Sequence, residues 1–242
     1  MENAPHIMLV GRNIPADLED RYFKWYDEVY NILYMKIPGY AGIDNYRVAK
    51  QTLDYPGIFS IQHLKNRRSV EEASKNPDRQ ALQKDHNATF YRIEWVWHEV
   101  YFLIGSFRND SNSPEATIVE NAPIIHIDGY RVPTAEHGKY NQWFIKWASR
   151  IYIPLIMNSP GLTAYNCFKL SDFSMRFPGH TYIEAEIPSY VSISYFDNTQ
   201  SFEQYEASPA NAALRRSMEL ELPGGLNRIW SVEYQLRKSW RK

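Results

Sequence analysis

His126 and Asp128 stand two residues apart in the stretch "IIHIDG", 124–129. Side chains two apart along a β-strand point the same way, so an imidazole and a carboxylate would share one face. A carboxylate beside an imidazole raises its basicity and orients the ring. That pairing suits general acid–base catalysis. The plainer reading is a polar contact at a strand end. His98 lies in "EWVWHEVYF", 94–102. Simple alternation puts Glu94, Val96, His98 and Val100 on one face, and Trp95, Trp97, Glu99 and Tyr101 on the other. His98 then either lines a cavity or is a core histidine bonded to a neighbour. His63 shares a strand face with Phe59 and Ile61. Ser192 and Ser194 share one with Tyr190. His6, near the terminus, reads as structural, and His86 and His137 fall in polar or loop contexts.

Several chemistries lack their signatures. No G-x-S-x-G presents a nucleophilic serine, and no H-E-x-x-H, Walker or G-x-G-x-x-G pattern occurs. Cys167 is the single cysteine, so neither an internal disulfide nor a thiolate metal cluster is expected. The expectation is therefore no cofactor. Haem is the alternative, since one axial histidine suffices without a linear motif; His98 and His180 are the candidates.

The net charge of −1 excludes a field that would recruit nucleic acid or an anionic membrane. No run approaches the length of a membrane span, and the apolar run near the N-terminus reads as a strand rather than a signal peptide. With one cysteine, a cytoplasmic location is expected. Aromatics make up 15 % of the chain, including 18 Tyr and 7 Trp, enough to line a pocket as well as a core.

The elements that must position these residues occur twice. "APHIMLVGRNIP" (4–15) is answered by "APIIHIDGYRVP" (122–133), and "YFKWYDEVYNILYMKIPG" (22–39) by "FIKWASRIYIPLIMNSPG" (144–161). "IFSIQHLKN" (58–66) is answered by "YVSISYFDN" (190–198), and "IEWVWHEVYFL" (93–103) by "RIWSVEYQL" (228–236). Tyr30 thus answers Tyr152, His63 answers Tyr195, and Trp97 answers Trp230. Met8 and Val10 hold the places of His126 and Asp128. The second copy adds "HTYIEAEIPS", 180–189. Each copy reads strand–helix–strand–strand–helix–strand, with Pro-Gly ending the first helix. The expected fold is α+β: two tandem ferredoxin-like βαββαβ repeats whose antiparallel sheets face each other as an intramolecular pseudo-dimeric barrel. The expected divisions are residues 1–106, a linker at 107–121, and residues 122–242.

This pattern resembles the dimeric α+β barrel superfamily in a tandem-fused form. Within it, "IYIPLIMNSPGLTAYNCFK" (151–169) looks most like an EthD-type domain. Tyr152 and Tyr30 stand where that family carries a helix histidine. The resemblance implies a pocket in each half for a small aromatic or carbonyl-bearing molecule. The leading expectation is a cofactor-independent lyase, isomerase or cyclase acting by proton transfer on an aromatic or polyketide-like substrate. His126 would be the acid/base, Asp128 its orienter, and Tyr152 or His98 a hydrogen-bond donor. Tyr30, His63, Tyr190, Ser192, Trp97 and Trp230 would contact substrate. The alternatives are a cofactor-free monooxygenase, a haem enzyme of the chlorite-dismutase type, or a non-catalytic binding protein. The chain is expected to act on small molecules, as a monomer or homodimer.

Overall fold

The computed structural model describes residues 4–49, 55–108, 121–131, 156–176, 186–213, 216 and 227–242. Tyr152, His137 and His180 lie outside the described residues, as does most of the inserted segment.

The first copy runs β1 (His6–Asn13), α1 (Glu19–Trp25), a π-helical turn (Tyr26–Tyr30), α2 (Asn31–Tyr34), β2 (Tyr40–Val48), β3 (Ile58–Leu64), α3 (Arg67–Lys75), α4 (Pro77–Thr89) and β4 (Glu94–Arg108). From the second copy come β5 (Ile124–Arg131), β6 (Leu162–Leu170), β7 (Tyr190–Phe196), α5 (Thr199–Ala207) and β8 (Asn227–Arg241). The copies share local rules. Asn66 caps α3 by accepting from the Ser69 amide, and Asn198 caps α5 by accepting from the Ser201 amide, both at 2.9 Å. Pro77 restarts the chain as α4, with Asn76 accepting from the amides of Asp78 and Arg79. Gly39 and Gly161 hold φ of 95° and 81°, a left-handed turn ahead of β2 and β6.

The expected arrangement of two facing sheets does not form. All eight strands belong to one closed antiparallel barrel, in the order β1-β3-β2-β8-β5-β7-β6-β4. The reason lies in β4 and β8. Each runs 15 residues against 7 to 9 for the other strands, so each pairs along part of its length within its own copy and has length left over for another strand. A sheet edge leaves amides and carbonyls unpaired, and closure removes it.

Two compact units share these long strands. The first comprises Met1–Phe102, Ser171–Ala185 and Leu236–Lys242; the second comprises Leu103–Leu170 and Glu186–Gln235. Both carry the same irregularity. The β1–β4 register slips between Gly11 and Arg12, which oppose Trp97 and Trp95, and Val96 bulges out. In the second unit Gly129 and Tyr130 oppose Trp230 and Arg228. No helix among the described residues is long and apolar enough to cross a membrane.

The two glycine turns are the most constrained backbone positions. A Cβ on Gly39 would stand 2.8 Å from the Ser69 carbonyl oxygen, and one on Gly161 would meet that of Ser201 more closely still. Gly39→Ala and Gly161→Ala should each destabilise by about 1–3 kcal/mol, with Gly161→Ala the worse. Urea-unfolding midpoints check the order.

Candidate active site

In the second unit β5 lies between β7 and β8. Ser194, His126 and Glu233 form one cross-strand row, and Ser192, Asp128 and Ser231 form the next. Directly opposed side chains in antiparallel strands lie about 5 Å apart, so these six polar groups make one patch on one face. Tyr165 and Cys167 of β6 extend the rows, opposite Ser194 and Ser192. From α5, Phe202 meets the His126 ring edge-on at 5.5 Å, and Glu206 reaches the same imidazole.

The distances define the surroundings of the imidazole. His126 Nε2 lies 3.0 Å from Ser231 Oγ and 3.7 Å from Asp128 Oδ1. The Ser231 hydroxyl can accept from Nε2–H, and in that tautomer Nδ1 presents its lone pair. Nδ1 is 3.9 Å from Glu206 Oε1, too far for a hydrogen bond. Arg228 Nη1 is 3.8 Å from Asp128 Oδ1. Four buried atoms on this patch make no hydrogen bond: His126 Nδ1, Asp128 Oδ1, Ser192 Oγ and Glu233 Oε1. Buried polar atoms are normally satisfied, and a group of unsatisfied ones marks where another molecule's polar groups belong. Burial, then the charges of Glu203 and Glu206, push the Glu233 carboxyl above its ordinary range. Burial also pushes the Cys167 thiol up to about 12, which makes it a poor nucleophile at neutral pH.

The structure therefore brings together four of the residues singled out from sequence: His126, Asp128, Ser192 and Ser194. Tyr190 lies on the same face, opposite Tyr130, and burial raises its phenol to about 12. Trp230 opposes Gly129, which places it on the other face from His126. Ser231, Glu233 and Glu206 were missed. The first two alternate along β8 with Trp230, Val232 and Tyr234, an ordinary half-buried pattern, and only the pairing with β5 sets them beside His126.

The equivalent face of the first unit is filled. Tyr22, Tyr26, Tyr30 and Tyr34 stack in a row with ring centroids 5.1, 4.9 and 5.0 Å apart. In an α-helix, positions four apart drift by about 40° around the axis. The wider π-helical turn at Tyr26–Tyr30 turns the row back, so it stays on one side. Arg12 is buried beneath it, its guanidinium 4.6 Å from the Tyr26 centroid; it donates to the Tyr22 hydroxyl at 2.5 Å and to Ser60. Tyr30 donates to Gln83 at 3.2 Å.

The bulge at Val96 corrects the simple alternation along β4. Trp95 comes to the side of His98, and the two rings stack at 5.5 Å, with His86 5.0 Å beyond Trp95. Trp97 faces the opposite way, donates to the Tyr101 hydroxyl at 3.2 Å and meets Phe59 edge-on. Haem was the alternative cofactor. It needs an axial imidazole with room for a macrocycle across its ring, whereas His98 is covered by Trp95 and only 2 % exposed. The described residues around His98 do not fit haem, and no step is derived through it.

His63 lies on the other face of the first unit, paired with Asp44 at 2.7 Å. Asp44 also accepts from Ser239 and Arg241, both at 2.5 Å. Burial alone would raise the Asp44 carboxyl, but the hydrogen bond and charge of His63, then Ser239 and Arg241, outweigh it, and the carboxyl falls below its ordinary 3.8. The second copy keeps a polar pair at the same positions, with Asn166 donating to the Tyr195 hydroxyl at 3.2 Å.

No protein-family profile and no curated protein matches this chain. Solved structures do share its fold. An anthrone oxidase-like protein superposes with a TM-score of 0.63 at 13 % identity, covering 99 % of this chain and 93 % of its own. A protein proposed to be a monooxygenase from Fusobacterium nucleatum gives 0.60 at 11 % identity, covering 100 % and 96 %. A variant of the chlorite dismutase of Candidatus Nitrospira defluvii gives 0.58 at 7 % identity, covering 98 % and 93 %. These neighbours have dimeric α+β barrel folds, and this chain shares that fold. Nothing in them singles out the EthD type. At such identities the likeness is one of fold alone.

The depressed Asp44 carboxyl gives a signed expectation. Its stabilising effect is complete above the unfolded value of 3.8 and is lost as pH falls through the lower folded value. Asp44→Asn should cost about 3 kcal/mol at pH 7, and the gap from wild type should narrow below about pH 4. Chemical denaturation across pH 3–7 reads this directly.

Proposed function

We propose that this chain is a small-molecule enzyme whose reaction begins with proton removal by His126 Nδ1. The observation that carries this reading is the unbonded, buried Nδ1 of an imidazole whose other nitrogen lies between Ser231 and Asp128. Ser231 and Asp128 orient the ring and stabilise the imidazolium that forms. The substrate is a phenol, or a carbon acid beside a carbonyl, because an oxygen that gathers the negative charge makes such a proton removable near neutral pH. No cofactor is required for this step.

The names of the fold neighbours, anthrone oxidase-like and monooxygenase, favour dioxygen as the partner of the resulting anion. In that reading a methylene beside a carbonyl becomes a second carbonyl. One oxygen atom enters the product and the other leaves as water.

An oxygen electrode with product mass spectrometry tests both parts on a panel of phenols and cyclic ketones. Oxygen uptake should match product formed. His126→Ala should lower kcat by about 10²–10⁴-fold, and Asp128→Asn by less. Unchanged turnover in His126→Ala would remove the base. Turnover without oxygen uptake would leave the proton transfer standing and remove the oxygenation.

A further inference from the structure

The unsatisfied atoms around His126 are not a neutral mixture. Asp128 Oδ1 and Glu233 Oε1 are acceptors, and so is His126 Nδ1 in the tautomer in which Nε2 donates to Ser231. Ser192 Oγ, on a residue only 2 % exposed, is the one member that could donate. Glu206 adds a further carboxylate oxygen 3.9 Å across from Nδ1. That oxygen also accepts from Asn211 Nδ2 at 3.5 Å. Asp128, Glu203, Glu206 and Glu233 bring four carboxylates to this face. Arg228, 44 % exposed, lies within ion-pair distance of Asp128. A carboxylate or phosphate entering here would meet acceptors and like charge. Nor are the carboxylates a metal site, since no group among the described residues is arranged to hold a metal ion.

From this donor-poor, acidic surround we infer that the molecule taken up at His126 carries a protonated amine, held by Glu233 and Glu206 next to the base. The inference rests on the proton-transfer reading for its chemistry but not for its binding. An ammonium offers three donors and one positive charge. It would satisfy Glu233 Oε1, offset the mutual repulsion of the glutamates, and set the rest of the molecule over Nδ1. The first unit offers no equivalent. Val100 stands where the second has Glu233, and Met8 where it has His126. One amine site per chain is therefore expected.

Three probes share one phenol ring and differ in charge: tyramine, 4-ethylphenol and 3-(4-hydroxyphenyl)propanoate. Calorimetric titration into the full chain at pH 7 should show tyramine binding about tenfold or more tighter than the propanoate, with 4-ethylphenol between. Glu233→Gln and Glu206→Gln should each shrink that preference by roughly threefold or more. Glu206 is on a helix and partly exposed, so its variant keeps the test alive if Glu233→Gln fails to fold. Equal or reversed affinities, no saturable tyramine binding, or an intact preference in the folded variants would overturn the inference. His126→Ala separates the two readings. If it retains both turnover and the charge preference, the base assignment falls and the amine site stands. If it abolishes turnover in a protein without charge preference, the amine site falls alone.

Discussion

Backbone pairing along β8 is the constraint on which the site depends. From Asn227 to Gln235 this strand lies against β5 in a register broken once, at the Gly129–Tyr130 bulge. That register sets Ser231 beside Asp128 and Glu233 beside His126. A slip of one residue would turn Trp230, Val232 and Tyr234 onto the polar face and carry the serine and glutamate away from it. The remaining length of β8 and the matching length of β4 close the sheet, and a closed sheet has no free edge along which strands can slide.

The two copies show one scaffold used in two ways. Each has a capped helix after its third strand, a left-handed glycine before its second, and a bulge opposite a tryptophan. Their helix-side faces have diverged. In the first unit Met8 and Val10 support a packed row of tyrosines over a buried arginine, and the polar atoms of Arg12 are largely taken up by Tyr22 and Ser60. Filling a face with stacked rings stabilises it and leaves little for a ligand to do. In the second unit the corresponding strand positions hold His126 and Asp128, and several of the polar atoms there are left without hydrogen bonds. The first unit also keeps unsatisfied buried atoms, at Arg12 Nε, Tyr26 and Asn31, but beneath packed rings, whereas those of the second unit gather around one imidazole.

Much of this was legible in the residues. The repeat, the strand and helix segments, the glycine turns and the shared face of His126 and Asp128 all follow from periodicity and alternation, which are local. Face assignments broke down where a bulge intervened: Trp95 joined His98 because Val96 dropped out of the pairing. Histidine was also a poor guide by itself. His98 went to an aromatic stack and His63 to a buried carboxylate, although both sit in strands of the same general pattern as His126.

By itself the sequence determined which segments become strands, where they turn, and that the side chains of His126 and Asp128 point the same way, because each of these depends on neighbours within a few residues. Tertiary structure alone decided that the strands join in one closed barrel instead of two facing sheets. It also decided that Ser231, Glu233 and Glu206 surround His126. The physical reason is that edge pairing and cross-strand register are settled by hydrogen bonds between segments about 100 residues apart, and no periodicity within either segment encodes its partner.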